Sequence, residues 1–496
     1  MLIAKFAGSN GFGLNALESI GDSHLKSAMS ASQRGSITIT LNYLDANLIW
    51  TTMFSCPWSQ DGRQWRSPRN EAVNRSRHGD IAPVRRQANQ RVTRWSRTIV
   101  LAAMFPALAW GQIHAMPYAD TAYQYNSNIF ALSSSAPEPI GSHGPTFSDH
   151  YLEERAGVDA LYDWSLQELY ANVEGRHFGY DRLSDLSHDE YLVHGGIKWH
   201  IGYLFDGVLD YRRERSMVQF QDFTGTNLYL QTQSVTTASG HFQFTPNWQL
   251  ETQGVINDLD SPRPGYPDLS LTEDSIQGGI RYVGLAKLSA GVDAIFLKGH
   301  FNGDEFVITP RYTQTTLEAT AKYVATGLSS FDGAIGYTRR MEEDAATIGG
   351  ATGLLAYQRE LSSLTSINLK LLRAVNSYVT YGSTEIDTGV ALGATWNATA
   401  KIAVTPGYQW TYSTFPGANL AASAPVGTER VDHYQLALLG AKYQARNWLS
   451  LRLYGQYETR HSDVGIDSFN RTLYGLEFEV RLASEANQHY QLNLPE

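Results

Sequence analysis

The sequence predicts an all-β fold, a transmembrane antiparallel up-and-down β-barrel of about 18 strands, with roughly 16 to 20 allowed. Three observations carry this prediction. Apolar and polar residues alternate with a period of two, the alternating runs are about ten residues long, and very short turns take turns with longer polar loops.

The alternation is clearest between Asn447 and Leu482. Leu449, Leu451, Leu453 and Tyr457 share one parity, and Ser450, Arg452, Tyr454, Gln456 and Glu458 share the other. In the next run Tyr474, Leu476, Phe478, Val480 and Leu482 alternate with Glu477, Glu479 and Arg481. Period two marks a strand with one apolar and one polar face. The same pattern sets Phe205, Leu209 and Tyr211 against Asp206, Asp210 and Arg212, and Ile276, Ile280 and Tyr282 against Gln277 and Arg281. It recurs in Ile367, Leu369 and Leu371 against Asn368 and Lys370, and in Ile402, Val404, Tyr408 and Trp410 against Lys401 and Gln409.

Strand length decides which side faces water. Soluble sheets use strands of about five or six residues, whereas a tilted strand needs roughly 9 to 11 to cross a bilayer. A membrane barrel turns its apolar face to lipid and its polar face to a lumen. Half of each segment is then polar, so a hydrophobic content of 42% and a mean hydropathy of -0.31 fit a barrel without any long apolar run.

The punctuation gives the count. Short turns are predicted at 163–164, 200–203, 245–248, 283–286, 327–329, 361–364, 397–400 and 445–448. Longer loops are predicted at 131–148, 180–188, 217–226, 259–270, 300–305, 341–349, 376–383, 416–429 and 461–468. Turns on one rim and loops on the other is outer-membrane wiring, and an even strand number follows. Trp164, Tyr203, Trp248 and Trp448 stand beside turns, where an aromatic girdle belongs.

The front of the chain reads differently. Arg91, Arg94 and Arg97 precede the apolar stretch from Thr98 to Trp110, and small residues follow to Ala115. Basic, apolar, small-residue exit is the layout of a secretory signal peptide, here 92–115. Residues 1–91 are arginine-rich and aperiodic, and are expected to be a non-native or disordered extension, with translation starting near Val92. The barrel is expected to occupy 116–496. Residues 1–115 carry 13 basic and 6 acidic side chains, leaving 26 basic against 43 acidic in the remainder. So acidic a product argues against a nucleic-acid partner. The single cysteine, Cys56, lies in the front segment.

Tyr170, Lys198, Asp210, Arg212, Arg281, Arg452, Tyr454, Glu477 and Arg481 fall on the lumenal parity and are the candidates for a substrate path. A barrel of this size leaves an aqueous interior. The lumenal charges mix signs with no single-sign ring, so strong selection for anions or cations is not expected. Structural ion pairs bracing the wall account for most of them. Polar groups interleaved with tyrosines suit a sugar chain, and they suit small solutes equally.

Tyr123-Gln124-Tyr125-Asn126-Ser127-Asn128-Ile129-Phe130 resembles the opening strand of the β-barrel porin family that includes the EpsL proteins of exopolysaccharide biosynthesis operons. The motif is short, while the likeness in architecture spans residues 116–496. The resemblance implies a passive outer-membrane conduit exporting exopolysaccharide or capsular polysaccharide, with a periplasmic export partner, in a Gram-negative bacterium. A general or solute-selective porin is the alternative, and an outer-membrane enzyme a distant third. Gly475, Phe478 and Val480 resemble a C-terminal signal for the barrel-assembly machinery, although a polar tail continues past Leu482. Outer-membrane lipid is the remaining expected partner.

Catalytic signatures are missing from the sequence. There is no Gly-x-Ser-x-Gly elbow, His-Glu-x-x-His pair or phosphate-binding glycine loop, and no cofactor is expected. His194 and His200 share a strand face but stand roughly 20 Å apart, too far to share a metal. Asp181, Asp185, His188, Asp189 and Glu190 could gather a calcium ion, but a solvated acidic loop explains them better. Asn397-Ala398-Thr399 fits a glycosylation sequon by chance in a predicted turn. N-terminal sequencing of the membrane-inserted protein is expected to begin near Met116; recovery of residues 1–91 in that product would refute the signal-peptide reading.

Overall fold

The computed structural model describes residues 113–141, 144–222, 225–262, 270–302, 311–343, 347–378, 383–416, 430–464 and 467–482. Residues 1–91, and the expected signal peptide apart from 113–115, lie outside the described residues, as does the tail after Leu482.

The strands in chain order are β1 (Ile113–Asn126), β2 (Ile140–Gly141), β3 (Gly144–Pro145), β4 (Asp149–Trp164), β5 (Gln167–Tyr180), β6 (His188–Ile201) and β7 (Phe205–Met217). They continue with β8 (Leu230–Thr245), β9 (Trp248–Asp260), β10 (Leu271–Leu285), β11 (Leu288–Phe301), β12 (Arg311–Thr326), β13 (Ser329–Glu342) and β14 (Ile348–Ser362). The last are β15 (Thr365–Tyr378), β16 (Ser383–Thr399), β17 (Ile402–Phe415), β18 (Arg430–Arg446), β19 (Leu449–Ser462) and β20 (Phe469–Arg481). Among the described residues, β2 and β3 form a small hairpin, and the other strands make one 18-stranded sheet.

Each strand of that sheet pairs antiparallel with its neighbour in the chain, and β1 pairs with both β4 and β20. The sheet therefore closes on itself. The seam runs from Tyr118 opposite Arg481 to Asn126 opposite Leu473. Closure leaves no edge, which a bilayer demands because lipid cannot satisfy an unpaired N–H or C=O.

The predicted wiring is present, with turns displaced by up to three residues. Turns such as 165–166, 286–287 and 447–448 join strands on one rim, and the longer loops lie on the other. The structure is inside-out relative to a soluble protein. Leu453, Ile335, Ile276 and Phe296 are among the most exposed apolar side chains, while Glu458, Asp293 and Asp387 are almost wholly buried. Trp164, Tyr203, Trp248 and Trp448 are exposed beside the turn rim. The residue before or after a lipid-facing leucine faces the lumen, because alternate Cβ atoms point to opposite faces. Such a barrel is built to span a bilayer, with an apolar band of this kind facing lipid.

Leu453 lies four residues above the turn-side end of β19, roughly 10 Å into the apolar band. Leu453→Arg is expected to cost about 2–4 kcal/mol. Urea unfolding from lipid vesicles measures it, and an unchanged midpoint would contradict the assignment of this face to lipid.

Candidate functional site

The lumen is lined by the even-numbered residues of β1, β5, β6 and β7 and the odd-numbered residues of β4 and β20. Facing side chains from adjacent strands stand close enough to hydrogen bond. A charge buried against the inside of the wall is tolerable when it finds a partner on a neighbouring strand.

One continuous belt crosses eight strands. From β7, Arg212 pairs with Glu214 at 2.9 Å, and Glu214 with Arg176 of β5 at 3.5 Å. Arg176 lies 2.5 Å from Glu174 and 3.7 Å from Glu190 of β6. Glu174 accepts a hydrogen bond from Tyr118 of β1 at 2.5 Å and lies 3.8 Å from Arg155 of β4. Arg155 pairs with Asp120 at 2.7 Å and reaches Glu477 of β20 at 3.8 Å, which also pairs with Arg452 of β19 at 3.4 Å. On a second path Arg481 pairs with Asp159 at 2.6 Å and Glu479 at 3.1 Å, and Glu479 with Lys442 of β18 at 3.0 Å. The belt therefore bridges the β20–β1 seam. Tyr118 can lie flat across the wall because Gly157 is beneath it; a Cβ there would sit 2.6 Å from the phenol.

The expected lumenal residues divide into groups. Tyr170 donates to Asp210 at 2.5 Å, His194 Nε2 also lies 2.8 Å from Asp210, and Lys198 stands over the Tyr170 ring while pairing with Glu168 at 2.5 Å. Arg452 lies over Tyr454 and pairs with Glu477, and Arg481 lies over Tyr118. Arg212 joins the belt. Arg281 is remote from all of these, held by both oxygens of Glu251 at 2.5 and 3.0 Å. Lys287 lies in the turn 286–287.

The loop side of the lumen carries an arrangement with no signal in the alternation. The loop 127–148 between β1 and β4 turns inward, and Ile129 and Phe130 pack with Tyr151 and Tyr180 of the wall, Leu183 and Leu186 of the next loop, and Phe220. Phe130 and Phe220 meet edge to face at 4.7 Å. Asn128 fastens this loop to β20 by donating to the Asn470 carbonyl at 3.1 Å. Asp149 ties down the second loop by accepting from the backbone N–H groups of Arg182 and Leu183. The third loop, described at 218–222 and 225–229, reaches inward across a sector of the barrel. Its Gln221 carbonyl accepts from Arg460 of β19 at 2.7 Å, and its side-chain oxygen accepts from Arg471 of β20 at 3.1 Å. β7, from which this loop leaves, stands five strands away from β20 around the wall.

Arg471 is anchored by Glu458 at 2.5 Å, and Tyr434 also donates to Glu458 at 2.8 Å. Close by, Arg430 is held by Asp432 at 2.5 Å and by Asp467 of the loop 463–468 at 2.9 Å. Burial holds the Asp467 carboxyl above its ordinary range, although Arg430 pulls it down. The acidic loop expected as a solvated cluster is divided by strand alternation: His188 and Glu190 point into the lumen, 3.1 Å apart, while Asp189 points outward to His177 at 2.7 Å.

The chain is thus an outer-membrane β-barrel whose lumen is narrowed by its own loops. No family model matches it, and no curated protein matches it. Among solved structures it is similar to the Pseudomonas aeruginosa outer-membrane protein OpdK, with 11% identity, a TM-score of 0.41, and coverage of 74% of this chain and 99% of that one. It is likewise similar to Acinetobacter baumannii OccAB3, with 10% identity, a TM-score of 0.42, and coverage of 75% and 99%. P. aeruginosa OccK2 (OpdF), solved in complex with glucuronate, gives 12% identity, a TM-score of 0.41, and coverage of 75% and 98%. The architecture described above rests on the strand pairing, not on these likenesses.

Replacing Arg471 with Met leaves Glu458, fully buried, without its cation. Breaking one side of such a pair costs about 3–5 kcal/mol. Urea unfolding is expected to show that loss in Arg471→Met and a recovery of most of it in the Arg471→Met/Glu458→Gln double variant.

Proposed function

We propose that the protein is a passive, solute-selective outer-membrane channel for small polar solutes. The observation that carries this reading is the set of loops lodged in the lumen, above all the chord that Gln221 makes to Arg460 and Arg471. A hydrated polymer needs a continuous wide bore, and the loops 127–148 and 218–229 occupy the loop side of that path. Small molecules need only the gaps between them. The paired lumenal charges present both signs side by side, which suits neutral or zwitterionic solutes better than a single ion type.

Polysaccharide export, with its periplasmic partner, is what the resemblance of Tyr123 to Phe130 implies. It requires the loops to move aside. Tyrosines such as Tyr170 and Tyr454 offer faces on which a sugar ring can stack, so saccharides belong among the solutes to be tested. The exposed Phe478 of β20 is the feature that the barrel-assembly machinery would read during insertion.

Single-channel conductance in planar bilayers tests the proposal. The parent protein is expected to give small, stable steps, and Phe130→Ala/Phe220→Ala is expected to raise them roughly twofold or more by freeing the inward loops. Equal conductance in parent and variant would remove the loops from the pathway. Block by long acidic or neutral polysaccharides, with no block by monosaccharides, would favour the polymer conduit.

A further inference from the structure

The outer wall carries a feature that channel activity does not use. Arg213 and Arg215 of β7 both point away from the lumen and are exposed. Arg215 stands opposite Tyr191 of β6. Arg213 is in hydrogen-bonding reach of the Tyr191 and Tyr211 hydroxyls, so the two tyrosines flank it. Neither guanidinium forms an ion pair among the described residues. The outward carboxylates nearest in register, Asp258 and Asp260 of β9, stand two strands away beyond Ser234 and Thr232, and Asp189 is tied to His177.

Height on the barrel gives these cations a meaning. They lie eight and ten residues beyond Phe205, which stands at the turn rim. With about 3.3 Å per residue and a tilt near 40°, that is roughly 20 and 25 Å up the wall. The apolar band is about 25 Å tall, so both guanidinium groups reach the outer-leaflet interface. Charge on a lipid-facing wall is tolerated at that depth and attracts anionic headgroups.

Toward the turn rim along the same tilted strands, the wall is hollow. A groove of about 420 Å³ is lined by Trp199, Phe205, Leu209, Gly240, Phe242 and Leu250. Its floor exists because Gly207 and Gly240 lack side chains. Trp199 lies across them, and a Cβ at Gly207 would be 2.5 Å from its ring. Phe205 and Phe242 stack at 4.5 Å to form one side. Between groove and arginines the lipid face of β8 is Ser234, Thr236 and Ala238, a low surface along which a chain can lie.

We propose that this sector binds one phosphorylated, acylated glycolipid of the outer leaflet, with phosphate on Arg213 and Arg215 and an acyl chain descending into the groove. Cation and groove are separate observations that lie on one tilted line of the wall, along β7 and β8. The chemistry required is an anionic headgroup joined to hydrocarbon, and neither half alone matches both.

The test uses the full chain purified, delipidated and exposed to vesicles containing diphosphoryl lipid A, with retained lipid counted by native mass spectrometry. Arg213→Gln/Arg215→Gln is expected to lower the apparent affinity roughly tenfold or more, the loss of two charge-assisted contacts. Gly240→Leu, whose Cβ meets only ordinary contacts at 3.7 Å and beyond, fills the groove and is expected to weaken retention several-fold. Unchanged heat-modifiable mobility on gels confirms that each variant is a folded barrel. Three results would overturn the proposal: equal retention by the parent and the double arginine variant, equal retention of dephosphorylated lipid A, or displacement of the lipid by inorganic phosphate alone.

Discussion

The structure depends on closing a hydrogen-bonded ladder. Each strand needs a partner on both sides, and the last need is met only when β20 finds β1. In hydrocarbon an unpaired peptide group costs several kcal/mol, so an open sheet of this length has no stable place in the membrane. The seam joins the first and last strands of the sheet, the pair furthest apart in sequence. The lumenal belt reinforces it from inside, since Arg155 of β4 reaches Glu477 of β20 and Arg481 of β20 reaches Asp159 of β4. Side chains thus bridge past β1 and hold its neighbours together.

The same closure sets the electrostatics. Even residues on one strand and odd residues on the next are driven into a confined interior, where a lone charge is costly and a paired one is tolerable. The wall answers with alternating signs, and Tyr118, Tyr170 and Tyr434 add donors to carboxylates that have lone pairs left over. The result is a lining rich in charge, with the two signs set side by side.

Size is decided by the loops. Phe130, Phe220 and Tyr180 put an apolar cluster at the loop side of a polar lumen, an arrangement that makes sense only if the loops turn inward and need something to pack against. Gln221 then spans to Arg460 and Arg471, which the wall has already fixed through Glu458 and Asp432. Wall rigidity and loop placement are one construction.

Much of this was legible in the sequence. Alternation at Leu449 to Glu458 and Tyr474 to Leu482 assigned lipid and lumen faces correctly, because a strand has a strict period of two. Turn and loop spacing yielded the strand number. Tyr170, Asp210, Arg452, Glu477 and Arg481 were placed on the lumenal side for the same reason. Their partners were not legible: Arg155 with Glu477, or Arg471 with Gln221, joins residues hundreds of positions apart, and only the closed register brings them together. Nor does the alternation read loops, which have no period, so the inward fold of 127–148 was open until the structure placed it. The sequence by itself determined which way the strand side chains face, since that follows from local backbone geometry. The tertiary structure alone decided which charges meet and how wide the lumen is, since both depend on the curvature of a sheet closed upon itself.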